Sequence, residues 1–356
     1  MFAKCRYLQW ALIFFLVGAA NSFAGNWEQV SELPTWRRGM AAAAVNGKIY
    51  LTGGFDHHKN LGGGAPALST VDVYDPRTNT WRKAASMPTA RISARAAVFS
   101  TDIYVFGGRE EMRGEYTKIV EMYDTRTDTW VRKRDMPTRR KGFVTAVVDG
   151  KIYIIGGSIQ NKKLGKREAT GLVEVYDPVT NRWEKRASMP TEREWAKAAA
   201  VDGKVYVLGG ELSFAGPLGD RLVNAIEAYN PKTNTWRKRP DIPMPKCWFE
   251  TAVVDNEIWT IGGYDPNNGF RHIDAVDIYN PTVNKWRKGQ PLTIPKSTTA
   301  AVVNGTIYLL GGWLDSRNSI FSPIVEAYDT GFLAVNPKGK LPGRWRELKK
   351  QTARNN

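Results

Sequence analysis

Six Gly-Gly pairs recur along this chain at nearly even intervals. Successive pairs are 54, 49, 53, 53 and 49 residues apart, and they stand at 53–54, 107–108, 156–157, 209–210, 262–263 and 311–312. Each pair ends a short apolar run such as Ile103 to Phe106. A repeat of this length is typical of units that cannot bury their apolar faces alone and must stack on their neighbours. The sequence therefore predicts a repeat array.

Each repeat reads as four short strands. The first strand is rich in alanine and valine, as in 41–45, and the second runs into the Gly-Gly pair. The third ends at a tyrosine, and in five repeats the fourth begins at a tryptophan seven residues later, as at Tyr74 and Trp81. The turn Val45-Asn46-Gly47-Lys48 is typical of a tight hairpin. Since aromatic residues make up 11% of the chain and favour strands, an all-β fold is expected.

The order of motifs within one repeat resembles the kelch repeat. In the first unit it reads Gly53-Gly54, then Tyr74-Asp75-Pro76, then Trp81, then Met87-Pro88. The resemblance covers residues 26–330 and recurs six times. It implies a six-bladed β-propeller of four-stranded antiparallel blades. It does not imply an activity, because function has to be argued from a site and not from a fold.

The N-terminal strand is predicted to close the ring. Trp27 and Pro34 are seven residues apart, as are Trp81 and Pro88, so a fourth strand precedes the first complete repeat. The sixth repeat reaches Tyr328 and has no tryptophan seven residues later. The rival closing strand is 345–347, but it would set Glu347 against Glu326, whereas the N-terminal strand sets Gln29 there. Like charges directly opposite each other destabilise a strand pair.

Charges on the third and fourth strands are expected to be structural. An acid stands two residues before each tyrosine, at Asp72, Glu121, Glu174, Glu227, Asp277 and Glu326. A base stands two residues after each tryptophan in five repeats, at Lys83, Arg132, Lys185, Lys238 and Lys288. Such cross-strand pairs contribute roughly 0.2–1 kcal/mol each, so these residues are not catalytic candidates.

Binding is expected on the face that carries the long loops. Antiparallel blades place the tight turns on one face and the variable loops on the other, and variable loops on a rigid scaffold usually carry function. These loops are 55–70, 109–118, 158–171, 211–224, 264–274 and 313–323.

A set of cations at equivalent positions is the first candidate site. Sixteen residues before the Gly-Gly pairs stand Arg37, Arg91, Arg140, Arg193 and Lys246, and the sixth repeat has Lys296 one residue later. One interpretation is that they tie neighbouring loops together through backbone carbonyls. The other is a cationic ring at the mouth of the central channel that binds a carboxylate, phosphate or sulfate. Both remain open at this stage.

Two tryptophans interrupt a row of small residues two positions further on. The row reads Gly39, Ser93, Gly142, Trp195, Trp248 and Ser297. With Trp36 and Trp313, the two tryptophans could present an aromatic surface that stacks a sugar ring or anchors a peptide; the alternative is that they plug the channel. Ligand-binding candidates are therefore Arg37, Arg91, Arg140, Arg193, Lys246, Trp195 and Trp248.

The sequence predicts neither a metal site nor a cofactor. His57, His58 and His272 lie in loops without the spacing of ordinary metal ligands. The chain carries no nucleophile elbow, P-loop or dinucleotide fingerprint.

The first 24 residues have the pattern of an export signal. Lys4 and Arg6 precede the apolar run 10–20, and Ser22-Phe23-Ala24 fits a signal-peptidase site. We expect cleavage after Ala24, a propeller over 25–330, a basic extension over 331–356 and a periplasmic or extracellular location. No stable membrane insertion is expected after cleavage.

A binding function is favoured over catalysis. The net charge is +16, and loop residues 162–167 and the extension 331–356 are both basic. Export argues against nucleic acid, so an acidic glycan or a protein is the expected partner. The alternative is a carbohydrate-active propeller enzyme such as a sialic-acid mutarotase, with Arg193 and Glu194 as weak catalytic candidates.

Overall fold

The described part of the chain is built from strands arranged in six four-stranded sheets and three two-stranded sheets. The computed structural model describes residues 25–56, 66–111, 114–161, 166–212, 222–265, 271–315 and 320–332. The expected signal sequence, His57, His58 and most of the basic extension lie outside these residues. None of the described residues forms a helix long and apolar enough to cross a membrane.

The strands in chain order are short, and most have five residues. The first half comprises β1 Trp27–Glu32, β2 Arg37–Arg38, β3 Ala41–Val45, β4 Lys48–Thr52, β5 Phe55–Asp56, β6 Val71–Asp75, β7 Thr80–Ala84, β8 Arg95–Phe99, β9 Asp102–Phe106, β10 Val120–Asp124, β11 Thr129–Arg132, β12 Val144–Val148, β13 Lys151–Ile155, β14 Ser158–Asn161 and β15 Lys166–Ala169. The second half comprises β16 Val173–Asp177, β17 Arg182–Arg186, β18 Lys197–Val201, β19 Lys204–Leu208, β20 Ile226–Asn230, β21 Thr235–Arg239, β22 Glu250–Val254, β23 Glu257–Ile261, β24 Tyr264–Asp265, β25 Arg271–His272, β26 Val276–Asn280, β27 Lys285–Lys288, β28 Ser297–Val303, β29 Thr306–Asp315 and β30 Ile320–Asp329.

Each four-stranded sheet is one blade of a six-bladed propeller, as predicted. Blades 1 to 5 are β3-β4-β6-β7, β8-β9-β10-β11, β12-β13-β16-β17, β18-β19-β20-β21 and β22-β23-β26-β27, and blade 6 is β28-β29-β30-β1. All pairs are antiparallel. The first strand of each blade contacts the first strands of both neighbours, so these six strands surround the central channel.

The packing follows the apolar pattern of each strand. The first strands alternate between buried and half-buried residues, whereas the second strands are buried at four consecutive positions because blades cover both of their faces. Apolar clusters join adjacent blades; one joins Tyr104 and Met122 of blade 2 to Ile152 and Tyr176 of blade 3. The hydrophobic core is therefore a ring of layers between blades.

The N-terminal strand completes blade 6, as the charge pattern predicted. Strand β1 pairs with β30, with Trp27 opposite Tyr328 and Gln29 opposite Glu326. The indole Nε1 of Trp27 donates to the carbonyl of Gln290 in blade 5 at 3.1 Å. Equivalent tryptophans also reach back to the preceding blade, since Trp130 Nε1 donates to the carbonyl of Ala85 at 2.8 Å. Trp27 therefore supplies the inter-blade contact that the sixth repeat lacks.

Deleting residues 26–34 should lower the thermal unfolding midpoint strongly, because it exposes the edge of β30 and opens the ring. The measurement is thermal unfolding followed by circular dichroism, with deletion of 341–350 as the control. An unchanged midpoint after the first deletion and a lower one after the control would contradict closure by β1.

Candidate functional site

In blades 1, 3 and 5 the amide of the second glycine of the pair donates to the carbonyl of the cation that begins the next repeat. Gly53 and Gly54 have φ angles of +68° and +91°, which glycine adopts without strain. A Cβ on Gly53 would lie 2.6 Å from the carbonyl oxygen of Arg91, and the amide of Gly54 donates to that same oxygen at 2.9 Å. The glycine pair and the cation that begins the next repeat are therefore parts of one inter-blade contact.

The side chains of these cations turn into the blades and pair with the acids of the third strands. Arg91 contacts Glu121 at 2.7 Å and Arg140 contacts Glu174 at 2.7 Å. The same pairing joins Arg37 to Asp72, Arg193 to Glu227, Lys246 to Asp277 and Lys296 to Glu326. All of these basic side chains are buried.

Backbone carbonyls complete the surroundings of each cation. Arg140 Nη1 donates to the carbonyls of Gly156 and Leu172, both at 3.0 Å. Burial lowers the pKa of Lys246 to about 8, although Asp277 acts in the opposite direction. A buried charge is tolerated only when it is paired and hydrogen-bonded, which these side chains are.

This geometry does not favour the cationic ring at the channel mouth, which was one of the two interpretations of the repeated cations. Arg91, Arg140, Arg193 and Lys246 have essentially no exposed surface, and only Arg37 also lines the mouth. The physical reason is that the acids of the third strands bind these cations within the blades. The geometry favours the first interpretation, a structural tie between loops, so charge for a ligand has to come from other residues of the mouth.

The mouth itself is an aromatic cavity of about 190 Å³. Trp36, Trp195, Trp248, Trp313 and Phe321 lie in its wall. The rings of Trp248 and Trp313 stack 5.5 Å apart at an angle of 24°, and those of Trp313 and Phe321 lie 5.6 Å apart at 8°. The guanidinium of Arg38 lies 5.0 Å from the ring centre of Trp313, in cation–π contact.

Trp195 and Trp248 adopt a backbone conformation that bulky residues rarely take. Their φ angles are +57° and +54°, close to the +65° and +64° of the equivalent Gly39 and Gly142. A left-handed residue with a side chain costs about 1–2 kcal/mol, and such strain is concentrated at binding and active sites. The indole of Trp195 lies over Gly142, since a Cβ there would be 3.3 Å from Trp195 Cε2.

A polar cluster lies behind Trp195. The ammonium of Lys141 is 5.2 Å from the Trp195 ring centre and 5.4 Å from that of Tyr116. Burial lowers the pKa of Lys141 to about 8, while Glu194 and Glu211 act to raise it. Glu194 is buried and accepts a hydrogen bond from Ser158 Oγ at 2.8 Å.

Arg193 and Glu194 do not act as a pair. Arg193 bonds to Glu227 of blade 4, whereas Glu194 bonds to Ser158 in the long loop of blade 3. His272 is buried, with Nδ1 3.1 Å from Ser297 Oγ and its ring 5.5 Å from that of Trp313. In the described ranges, no cluster of three or more His, Cys, Asp and Glu side chains is placed to hold a metal ion.

Three residues that the sequence analysis missed lie where the mouth meets the channel. Arg95 and Lys197 line the mouth cavity, and Glu250 lines the channel below it. They occupy the first position of strands β8, β18 and β22, where the other blades have Ala41, Val144 and Thr299. Aligning the first strands of the repeats would have revealed them, because a charge is unusual among alanines and valines.

Comparison with known proteins gives matches over most of the propeller. The KLHDC2/KLHL20/DRC7 Kelch-repeats domain matches residues 62–240, and the Kelch motif matches 248–293. The chain belongs to the kelch-repeat family. Kelch propellers are typical of protein-interaction proteins.

Curated relatives are 26–33% identical to this kelch-repeat chain over the aligned residues. Beta-scruin of Limulus polyphemus is 27% identical over 68% of the chain and 21% of its own length. Kelch-like protein 35 of Mus musculus is 26% identical over 69% of the chain and 30% of its own length. Kelch-like protein terF of Aspergillus terreus is 33% identical over 65% of the chain and 40% of its own length. The matches thus span well under half of these longer proteins.

A solved structure shows the same fold. The structure of YjhT superposes with a TM-score of 0.67 at 18% identity, covering 83% of this chain and 96% of that one. At this identity the likeness supports the propeller architecture alone.

Replacing Arg140 by methionine should lower the free energy of unfolding by about 3–5 kcal/mol, because it leaves Glu174 buried without its cation. The double variant with Glu174→Leu should recover part of this loss. Chemical denaturation gives the free energy of unfolding of wild type, Arg140→Met, Glu174→Leu and the double variant. An Arg140→Met protein as stable as wild type would show that the cation does not support the blade.

Proposed function

We propose that this kelch-repeat protein is an exported binding protein that holds an acidic glycan in the aromatic mouth on its loop face. The single observation that carries the proposal is the pair of tryptophans, Trp195 and Trp248, held in strained left-handed conformations at the cavity wall. Packing alone would be met by the glycine that stands at this position in blades 1 and 3. Maintained strain at a cavity points to a function for the side chain.

The shape of the mouth suits a sugar better than a protein. Specific protein–protein contacts cover about 800 Å² on each partner, whereas this cavity has a volume of only about 190 Å³. Flat indole faces stack on the apolar side of a sugar ring, and the hydroxyls of Ser297, Thr298 and Thr299 line the same wall. Cations at the wall favour an acidic sugar over a neutral one.

Export remains part of the proposal and rests on the pattern of residues 1–24. The mature protein would begin at Gly25, which intact-mass measurement of the exported chain tests. A chain that retains Met1 would contradict it.

Sugar turnover is a second candidate function, favoured by the cluster behind Trp195. Burial lowers the pKa of Lys141 to about 8, and the neighbouring Glu194 acts to raise it. An ammonium with this pKa can exchange protons with a bound sugar near neutral pH. This chemistry would fit the opening of a sugar ring, as in a sialic-acid mutarotase.

Replacing Trp195 by glycine should weaken glycan binding about tenfold or more while leaving the thermal unfolding midpoint near that of wild type. The midpoint should change little because two effects on stability oppose each other. The variant loses the ring contacts of Trp195, but glycine adopts the left-handed backbone without the strain of about 1–2 kcal/mol. The test is a screen of acidic and neutral glycans, followed by titration of any glycan that binds. Trp286→Phe, near the opposite turn face, is the control and should bind as wild type does.

The outcomes separate the two functions. Trp195→Gly binding as tightly as wild type would contradict the aromatic mouth as the site. NMR exchange spectra of the bound sugar distinguish binding from turnover: a sugar that binds without exchange between anomers supports the binding protein, whereas exchange accelerated by wild type and lost in Glu194→Gln supports the enzyme.

A further inference from the structure

The channel beneath the mouth forms a second cavity, of about 200 Å³. It is lined by the first strands of the blades and shares Met40, Arg95, Lys197, Thr298 and Thr299 with the mouth cavity. Arg95 and Lys197 therefore stand at the junction, within reach of a group that enters from the mouth. Neither residue belongs to the set of cations paired inside the blades.

Hydrogen bonding at this junction is incomplete. Lys197 Nζ bonds to Glu250 Oε2 at 2.8 Å, and Arg95 donates from Nε to the carbonyl of Phe143 at 3.1 Å. In the residues that the structure describes, the two terminal nitrogens of Arg95 have no hydrogen-bond partner. Arg140, by contrast, uses its terminal nitrogens on Glu174 and on carbonyls.

The charges at the junction are half-buried and only partly balanced. Burial lowers the pKa of Arg95 and of Lys197, and Glu250 opposes that shift in both. Arg95 lowers the pKa of Lys197 further, so the two cations repel each other. Two cations and one carboxylate leave one positive charge, which a bound anion would neutralise.

The geometry of the donors selects the kind of anion. A guanidinium presents parallel N–H groups that match two oxygens of a carboxylate or of a phosphate, so the charge of the anion decides between them. Glu250 disfavours a second negative charge. The guanidinium of Arg95 is also 5.9 Å from the ring centre of Trp195, so an acid bound there would lie beside the stacking surface.

We infer that Arg95 and Lys197 form a carboxylate-binding site at the base of the mouth, and that Glu250 restricts it to groups with one negative charge. The inference rests on the proposed function in that the carboxylate belongs to the sugar stacked on Trp195. It names the ligand class as sugars that carry a carboxylate.

The experiment uses three probes on the full mature propeller: acetate, D-glucuronate and D-glucose. NMR of the arginine Nε–H signals, with Arg95 assigned by its loss in Arg95→Gln, should show a saturable shift with acetate. Wild type should bind glucuronate about tenfold tighter than glucose or more, because a charge-assisted hydrogen bond is stronger than a neutral one. Arg95→Gln and Lys197→Gln should each reduce that preference, whereas the exposed control Lys232→Gln should keep it.

Glu250→Gln tests the charge limit separately. Removing its carboxylate raises the net charge of the junction. The ratio of sulfate affinity to acetate affinity should therefore be higher in Glu250→Gln than in wild type. Equal ratios in the two proteins would overturn the role of Glu250.

The outcomes also separate this inference from the proposed function. A saturable acetate shift with no binding of either sugar supports the site and contradicts the glycan proposal. Trp195-dependent binding of glucose and glucuronate with equal affinity, and no acetate shift, overturns the carboxylate site. It leaves the mouth as a glycan-binding site and contradicts its preference for acidic sugars. If Arg95→Gln does not fold, Lys197→Gln and the acetate titration of wild type decide.

Discussion

The contact between a Gly-Gly pair and the cation of the next repeat holds the propeller together. The backbone of Arg91 lies against Gly53 and Gly54 of blade 1, while its side chain pairs with Glu121 of blade 2. One residue therefore joins two blades, through its carbonyl on one side and its guanidinium on the other. The buried ion pair makes the contact specific, because a cation without its acid would be costly to bury. The pair is glycine because the backbone of the next repeat comes so close that a Cβ on Gly53 would lie 2.6 Å from the carbonyl oxygen of Arg91.

That structural use of the repeated cations leaves function to positions that depart from the repeat. Trp195 and Trp248 replace small residues and retain the left-handed backbone that small residues allow. Arg95 and Lys197 replace apolar or small residues at the start of the first strands, where the channel meets the mouth. The scaffold repeats in all six blades, but these substitutions occur only in blades 2, 4 and 5. The site they form is therefore asymmetric, although the fold around it is not.

The fold could be predicted from sequence because its determinants are local and repeated. The apolar runs, the hairpin turns and the spacing of the Gly-Gly, tyrosine and tryptophan positions placed the four strands of each blade, and the charge opposite Glu326 selected β1 as the closing strand. The direction of the repeated arginine side chains could not be predicted, because spacing places a residue on a face without showing where its terminal group lies. Arg95 and Lys197 were missed because the first strands were interpreted only as an apolar wall.

A crystal structure of the protein with D-glucuronate tests the central claim most directly. The account predicts the sugar ring against Trp195 or Trp248 in the aromatic mouth, with its carboxylate toward Arg95 and Lys197. Glucuronate bound on the opposite turn face, or at the buried pairs such as that of Arg140 with Glu174, would contradict it.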